Sequence, residues 1–583
     1  MICMNLRDKT VVKRIIESYL ITFALMNVCG KETTDIFTIL FFGLAFWMLG
    51  KRAEAESKKD VVITTIVSAL FTLLYVMGTW QTLTGGLANK LFLAFYFGCT
   101  IGGLFFLFYE VVLFILVNST KVVLFEEKRS FPIKWFWITA GILFLCMIPF
   151  LLINFPAVMT PDSLSQYRQT IGTQHYSDHH PWAHTMVFAF FYNIGFWITG
   201  DTYLAIAFYT VAQMILVSLS IAYVWMTLYE MGLKKGCCVA GLLLFVICPY
   251  NLVYSVTIWK DILFSMSILV LTVTLFRLYE QLKAGQKAGI RDWILYGLSA
   301  FAMCMLRHNG LYGFAAAAVI LFILFGKRMR NLLLITVGVL CACFIIKGPV
   351  MSAVDVMPGQ FVFKLCIPLQ QVCRVVAHEL PLEEEEMALI EKIGDVSYVV
   401  ENYEGGCADY MTAWVEAGNQ DYLIAHKGKY LKLWIGLGLR YPGEYIQAFI
   451  DQTKGYWYPM APQQTVFWGI TQHETGLVSQ AVLEGPVVLK ICEILTKLYT
   501  IFPLYGILYS MGAMFWILIL CGAVAIRNRL YSVVGMCQPV FWVTVTLFLA
   551  TPLVADLRYN YPLMLAMPCI LAVTFCGKNE TGY

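Results

Sequence analysis

Long apolar runs alternate with short loops that carry most of the charged side chains of this sequence. A helix needs roughly 20 mostly apolar residues to cross the hydrocarbon core of a bilayer, which is the length of these runs. Of the 583 residues, 59% are hydrophobic and 13% are charged, whereas a soluble chain is about 45–50% apolar and about 25% charged. A soluble enzyme, a disordered chain and a disulfide-rich secreted fold are therefore excluded. The class that remains is an all-α polytopic membrane protein.

The apolar runs predict about fourteen spans, interrupted by one long polar stretch with mostly helical periodicity. The net charge is only +4, so nucleic acid is not expected as a partner. The expected partner is the lipid bilayer. The spans are predicted at about 11–29, 36–50, 61–79, 91–117, 135–154, 202–229, 237–257, 260–279, 292–307, 311–326, 332–349, 499–525, 532–550 and 559–576.

The orientation of the chain depends on the segment His184–Gly200. Short cytoplasmic loops carry an excess of lysine and arginine, and counting this segment as a span would send Lys234 and Lys235 outward. We therefore interpret it as an interfacial helix. Both termini of a multi-pass protein in the cell membrane are then predicted to be cytoplasmic. The loop at about 155–200 and the polar stretch at 351–498 are predicted to be extracytoplasmic.

These boundaries divide the sequence into four predicted segments. The first two are membrane regions, the third is a mostly helical extracytoplasmic domain, and the last returns to the membrane. They are a four-span N-terminal extension (1–134), a membrane core with the outer loop 155–200 (135–350), the extracytoplasmic domain (351–498) and a three-span segment (499–583).

Polar groups held at an apolar boundary are costly, and they mark candidate functional sites. The first such cluster is Thr160-Pro161-Asp162-Ser163, directly after the fifth span. Thr160 is a favourable helix cap and Pro161 a favourable first-turn residue, so a helix is predicted to begin here. Asp162 either stabilises the positive end of that helix or serves as a general base at the membrane surface.

A second cluster contains four of the eight histidines within ten residues, from His175 to His184. It includes Asp178, His179 and His180, and Pro181 places His180 as the predicted cap of the interfacial helix. Imidazole and carboxylate are ordinary ligands of divalent metals. The cluster is compatible with a divalent metal site, with acid–base work or substrate recognition, and with a structural role.

Two further clusters combine basic and acidic or polar residues. Lys260 and Asp261 lie at the outer turn before the eighth span, either as an exposed salt bridge of little energetic value or as a cation for a phosphate. Arg307, His308 and Asn309 interrupt a long apolar run. A broken helix at membrane depth is tolerated where it lines a cavity or is buried in protein, which favours a functional role.

The last cluster opens the final span with Asp556, Arg558 and Tyr559. Arginine and tyrosine are ordinary interfacial anchors, but the guanidinium fork also matches phosphate oxygens. Together the five clusters predict one outer site that combines an acid–base group with several cations. This combination indicates transfer from a lipid-linked phosphate. A transporter would more often carry its charges near the midplane on inverted repeats, and no repeat is found.

With this layout the sequence resembles the GT-C superfamily of polyprenyl-phosphate-sugar-dependent glycosyltransferases, including protein mannosyltransferases and aminoarabinose transferases. Asp162 is followed by Ser163, whereas the family's first acidic motif is commonly a pair. The matching elements are Asp162 in the first large outer loop, Asp178-His179-His180-Pro181, Asp261 after the next outer turn, Arg307 in a broken span, and Arg558-Tyr559-Asn-Tyr-Pro562.

The resemblance implies a GT-C-like bundle with interfacial helices in its first outer loop and a role in cell-envelope glycan biosynthesis. It implies inverting transfer of a hexose or pentose from a polyprenyl-phosphate donor to an acceptor hydroxyl, with Asp162 as general base. An alternative is a lipid-linked glycan transporter or flippase, and a third is a sensor whose outer domain binds a partner. The catalytic candidates are Asp162, Asp178 and His180, and the substrate-binding candidates are His179, His184, Lys260, Asp261, Arg307, His308, Arg558 and Tyr559.

Overall fold

The computed structural model describes residues 9–32, 34–84, 89–121, 124–325, 330–461, 463, 465, 469–470 and 475–575. Within these ranges the chain forms helices joined by turns, and β structure is limited to isolated bridges. The chain divides into two compact units. The first contains the N-terminal region to Leu124, Trp516–Tyr531 and the described residues from Thr574 onward, and the second contains Phe125–Phe515 and Ser532–Val573.

The first unit is built on four helices, which match the four predicted N-terminal runs. The aromatic ring of Phe71 stacks on Trp516 at 4.3 Å between centroids, and Nε of Arg527 lies 2.8 Å from Oδ1 of the buried Asp60. These contacts attach Trp516–Tyr531 to the N-terminal helices. The helices are α1 (Lys9–Val28), α2 (Phe37–Gly50), α3 (Lys58–Thr84) and α4 (Lys90–Asn118).

The remaining helices follow in chain order. They are α5 (Ile133–Ile153), α6 (Pro161–Thr170), α7 (Trp182–Thr199), α8 (Thr202–Glu230), α9 (Lys235–Ile247), α10 (Pro249–Ser255), α11 (Lys260–Lys283), α12 (Ile290–Leu306), α13 (His308–Phe325), α14 (Arg330–Ile345), α15 (Met351–Ala353), α16 (Cys366–Ala377), α17 (Glu384–Glu391), α18 (Val396–Asn402), α19 (Asp409–Ala417), α20 (Gln420–Ala425), α21 (Lys427–Arg440), α22 (Pro442–Trp457), α23 (Pro486–Ile501), α24 (Met511–Arg527), α25 (Tyr531–Leu549) and α26 (Tyr561–Thr574).

Within the described ranges, eight helices are long and apolar enough to cross a membrane, judged by length and composition. A ninth candidate is the pair α9 and α10, which is bent by 71°. The prediction of an all-helical membrane protein with several spans is confirmed at this level, and the number of fourteen stays a prediction. The eight are Lys58–Leu83, Lys90–Lys121, Ile133–Ile153, Thr202–Glu230, Lys260–Lys283, His308–Phe325, Arg330–Ala353 and Tyr531–Leu549.

Two predicted spans are not single helices. The run at 237–257 bends where Pro249 begins α10, because proline lacks the N–H that would continue the helical ladder. The run at 499–525 is interrupted between the end of α23 and the start of α24. Pro503 lies in that gap, and Leu504 has a positive φ of 66°. Helical φ and ψ angles are therefore lost there.

A short backbone pairing positions the candidate site in the second unit. The N–H of Val158 donates to the carbonyl of Val256, and the N–H of Ile258 donates to the carbonyl of Val158, each at 3.0 Å. The Ser163 hydroxyl then donates to the Ile258 carbonyl at 2.6 Å. This pairing places the first turn of α6 beside the first turn of α11.

Within the predicted outer domain (351–498), helices α16 to α22 pack around their own hydrophobic core in the second unit. Val375, Val399, Met411 and Leu437 are among its fully buried residues. The N–H of Ala408 donates to the carbonyl of Pro552 at 2.8 Å. This contact attaches the domain to the segment that leads into Asp556 and Arg558.

Candidate functional site

Asp162 lies in the first turn of α6, as predicted. Thr160 is the N-cap and Pro161 the first residue of the helix. Indole Nε1 of Trp259 donates to the Thr160 hydroxyl at 2.7 Å, which fixes the cap against the residue before α11. The Asp162 side chain keeps 24% of its surface exposed. Its carboxylate is therefore held in place and still reachable.

Lys260 opens α11 and pairs with Asp162. Nζ of Lys260 donates to Oδ2 of Asp162 at 2.7 Å and to Nδ1 of His180 at 3.3 Å. The neighbouring carboxylate of Asp261 points elsewhere, because consecutive residues on a helix do not face each other. The interpretation of Lys260 and Asp261 as an exposed salt bridge is wrong, since both side chains are largely buried and have other partners.

Arg558 supplies a second cation to the same carboxylate oxygen. Its Nη1 lies 3.3 Å from Oδ2 of Asp162, and its Nε donates to Oδ2 of Asp556 at 2.8 Å. The guanidinium lies over the ring of Trp259 at 4.8 Å and over that of Tyr559 at 4.9 Å. Such cation–π contacts favour a desolvated arginine. Arg558 is therefore a rigidly placed cation and not a flexible headgroup anchor.

The electrostatics of this cluster set two protonation states. Burial alone would raise the pKa of Asp162, but the charges of Lys260 and Arg558 outweigh it and hold the pKa well below its usual value. Burial lowers the pKa of His180 well below its usual value, and the charge of Lys260 acts in the same direction against that of Asp162. At neutral pH the cluster therefore holds an ionised Asp162 and a neutral imidazole.

A second ion pair lies deeper in the same region. Nη1 of Arg307 lies 2.6 Å from Oδ1 of Asp261, whose side chain is fully buried. Arg307 occupies the predicted break between α12 and α13, where it has extended backbone angles of φ −144° and ψ 147°. Its guanidinium also lies over the ring of Tyr559 at 4.9 Å. The break thus places the Arg307 guanidinium against the buried carboxylate of Asp261, beside the Asp162 cluster.

Asp178 and His308 join the loop before α7 to the start of α13. Oδ1 of Asp178 accepts from the N–H of Trp182 at 3.0 Å, and Nε2 of His308 donates to the Asp178 carbonyl at 2.8 Å. The prediction that His180 caps α7 is wrong. The Asp178 carboxylate accepts from the first backbone N–H of that helix, and the His180 ring faces Lys260 instead.

The four histidines of the second cluster do not share one set of partners. His175 contacts the carbonyl of Asp355 at 2.8 Å, and the ring of His179 lies 4.5 Å from that of Phe363. His184 is buried, with Nδ1 donating to Gln166 at 3.0 Å, and burial lowers its pKa to about 3. His180 makes the direct contact with Lys260, and the ring of His179 lies 4.5 Å from that of His180.

A divalent metal site would need several ligand side chains close together among the residues that the structure describes. No group of three or more histidine, cysteine or acidic side chains there lies close enough to hold a metal ion. The divalent metal therefore stays a prediction.

Comparison with known proteins gives one family. A family of unknown function, DUF6020, matches residues 167–582, which is most of the chain. The chain belongs to this family. No curated protein and no solved structure matches it. In this DUF6020 chain the matched region includes His180, Lys260 and Arg558, whereas Asp162 lies five positions before its first residue.

The structure of this DUF6020 chain also adds a carboxylate that the sequence analysis missed. Asp409 begins α19 and interacts electrostatically with Arg558, Asp162 and Asp556. Burial raises the pKa of Asp409, and the neighbouring carboxylates of Asp162 and Asp556 raise it further, whereas the charge of Arg558 lowers it. No motif surrounds Asp409 in the sequence. Only the pairing of Ala408 with the segment before Asp556 could reveal it.

The site therefore presents two fixed cations, one ionised carboxylate between them and a neutral imidazole. An anion that approached Lys260 and Arg558 would compete with Asp162 for their donors. Such an arrangement can bind a phosphate and, in doing so, release a carboxylate to accept a proton.

Proposed function

We propose that this protein is a membrane glycosyltransferase that moves a sugar from a polyprenyl-phosphate donor to an acceptor hydroxyl on the outer face of the cell membrane. The proposal includes a GT-C-like arrangement of about fourteen spans. The observation that carries it is the sharing of Oδ2 of Asp162 by Nζ of Lys260 and Nη1 of Arg558. The proposed general base is thus in direct contact with both of the proposed phosphate-binding cations.

The donor phosphate is proposed to bind Lys260 and Arg558. Both side chains are largely buried, at 13% and 12% exposed, so their charges act in a poorly hydrated setting where they are worth more than in water. The N-terminus of α6 adds a positive dipole at the same place. The fork of Arg558 suits phosphate oxygens, although its Nε is occupied by Asp556.

The transfer step is an inverting displacement. The acceptor hydroxyl gives its proton to Asp162, and its oxygen bonds to the anomeric carbon of the sugar. The bond between that carbon and the phosphate oxygen breaks, and its electron pair stays on the phosphate. Lys260 and Arg558 stabilise the charge that develops there. Because the phosphate draws both cations away from Asp162, donor binding raises the pKa of the base and makes it competent to take the proton.

The other candidate residues take supporting roles in this mechanism. Neutral His180 orients Lys260 or the acceptor hydroxyl through Nδ1. Asp178 and His308 hold the start of α7, and Asp261 neutralises Arg307 behind the Tyr559 ring. We therefore propose Asp178, His308, Asp261 and Arg307 as positioning residues.

The test is turnover of a panel of polyprenyl-phosphate sugars by the purified full-length protein, with lipids and products followed by mass spectrometry. Asp162→Asn should reduce transfer by about 10²–10⁴-fold and leave donor binding intact or tighter, because the cations are then free. Asp409→Asn is the matched control at the second carboxylate. Full activity of Asp162→Asn with loss in Asp409→Asn would move the base to Asp409.

The same assay separates transfer from transport. If the wild-type protein moves the donor across a vesicle bilayer without consuming it, the proposed enzyme is a flippase instead. Release of polyprenyl phosphate in step with glycosylated product supports the transferase.

A further inference from the structure

The outer domain contains a partly open apolar cavity of about 330 Å³ lined mainly by helices α16 to α21. Its wall includes Phe361, Leu369, Cys373, Trp414, Tyr430 and Trp434. The size lies in the range of small-molecule sites, which begin at roughly 300 Å³. An apolar cavity of about 150 Å³ is already enough to bind a benzene molecule. An empty apolar cavity destabilises a domain roughly in proportion to its volume, so a ligand that fills it stabilises the fold.

The polar atoms of the large wall residues are already satisfied. Nε1 of Trp434 donates to Gln371, the Tyr430 hydroxyl donates to the Leu389 carbonyl, and Nε1 of Trp414 donates to the Asp395 carbonyl, at 2.8 to 2.9 Å. These side chains therefore present carbon faces to the cavity. Water gains little in such a place, because it finds few partners there. The ligand that fits is a hydrocarbon.

The charge beside the cavity indicates which head group the hydrocarbon ligand carries. Among the described lining residues, Lys427 is the one that carries a charge, and its Nζ lies 4.4 Å from the centre of the Phe361 ring. Lys427 is exposed and begins α21, where the positive end of the helix dipole adds to its charge. An anionic head group at this point would be held by both.

The outer surface of α21 shows a route to the cavity. Leu431, Ile435 and Leu439 recur every four residues on this helix and are 56%, 48% and 80% exposed. Leu431 also lines the cavity. A helix with exposed apolar residues along one face and lysines at one end is typical of a helix that lies in a membrane interface. A chain from the outer leaflet can therefore reach the cavity past Leu431.

We infer that this cavity binds a single hydrocarbon chain that ends in an anionic head group, with the chain among the wall residues and the head group at Lys427. The inference concerns the outer domain alone and does not rest on the proposed glycosyltransferase activity.

The test uses purified full-length protein in detergent and palmitate that carries a photoreactive diazirine on its chain. Cross-linked peptides are mapped by mass spectrometry, and we expect them in α16 and α21. Cys373→Trp fills the cavity and should lower this labelling by at least about tenfold. Val400→Trp places the same side chain at an exposed position of α18 outside the cavity wall and should leave the labelling unchanged. If Cys373→Trp does not fold, Leu369→Phe replaces it.

The head-group assignment has its own control. Lys427→Glu should weaken palmitate binding by about tenfold and leave the binding of 1-hexadecanol unchanged. Lys429→Glu, at an exposed lysine outside the cavity wall, should have no effect. Competition by unlabelled palmitate or by farnesyl phosphate supports the site, and the stronger competitor identifies the head group. Labelling that spreads over the spanning helices, persists in Cys373→Trp or responds equally to both lysine variants overturns the inference.

Discussion

Nζ of Lys260 lies 2.7 Å from Oδ2 of Asp162, although the two residues are 98 positions apart in the chain. The contact joins the first turns of α6 and α11, which the Val158 pairing holds side by side. It keeps the proposed base ionised and occupied until an anion competes for the lysine. Donor binding and base activation are therefore coupled in the proposed mechanism.

Two replacements of Lys260 should separate the contribution of its charge to donor binding from that of its shape. Lys260→Gln removes a charged donor that is worth about 1.5–3 kcal/mol, so we expect donor affinity to fall by at least about tenfold. Lys260→Arg keeps the charge and should retain part of the affinity. The same change to Gln at Lys283, at the other end of α11, is the control. Equal affinity in Lys260→Gln and the wild type, measured by equilibrium binding of a labelled donor, would contradict the phosphate-binding role.

The pH dependence should differ between the free and donor-bound protein. Burial would raise the pKa of Asp162, but the charges of Lys260 and Arg558 hold it well below its usual value. A base is lost as the pH falls through its pKa, so the acid limb of kcat/KM should lie below the ordinary range for aspartate. Since the bound phosphate draws the cations away, the acid limb of kcat should lie at higher pH. Coincident limbs would contradict the coupling.

The pair of Arg307 and Asp261 should contribute mainly to stability. Arg307→Met leaves a fully buried carboxylate without its cation, which costs about 3–5 kcal/mol. We expect a lower Tm of the purified protein in detergent. Combining it with Asp261→Asn removes the uncompensated charge and should recover much of the loss. A single variant with wild-type Tm but weakened donor binding would instead make Arg307 a direct phosphate ligand.

His184 and His180 should respond differently to the same change. His184 is buried between Gln166 and Tyr209, at 3.0 and 2.9 Å. His184→Phe leaves these partners unsatisfied and should lower stability by about 1–3 kcal/mol, with KM for the donor unchanged. His180→Phe should reduce transfer with a smaller effect on Tm. Thermal unfolding and steady-state kinetics of the two variants give the comparison, and an unchanged Tm in His184→Phe would refute its structural role.

Gly310 tests the close approach at the broken helix. A methyl group there would overlap the carbonyl oxygen of Met303 and the ring of Phe264, so Gly310→Ala should lower the Tm and displace Arg307. Gly338→Ala, in α14 with open space around it, should be neutral or stabilising by about 0.5–1 kcal/mol. Similar Tm values for the two variants would contradict the tight packing.

Local features of the sequence predicted several parts of the site correctly. Thr160 and Pro161 begin a helix because a capping side chain and a proline at the first turn act within a few residues. The break at Arg307 follows from a charged residue inside an apolar run. The sequence predicts that Asp162, Lys260 and Arg558 share one site, because charges kept at an apolar boundary are costly, and the structure brings these three together.

Which side chains pair with each other could not be predicted from local sequence features. Lys260 has Asp261 as its chain neighbour but pairs with Asp162, because side-chain direction on a helix separates consecutive residues. His184 belongs to the same dense cluster as His180 and is nevertheless buried away from it. Asp409 carries no local signal, and its place depends on the pairing between Ala408 and Pro552.

The sequence by itself determined that this chain is a helical membrane protein, because apolar composition and run length leave no other way to satisfy the backbone in a bilayer. It also determined where most helices begin and which charges are costly enough to notice. Only the tertiary structure decided which of those charges meet, which histidine faces the carboxylate and where an apolar cavity remains. Those outcomes depend on contacts between segments that are far apart in the chain.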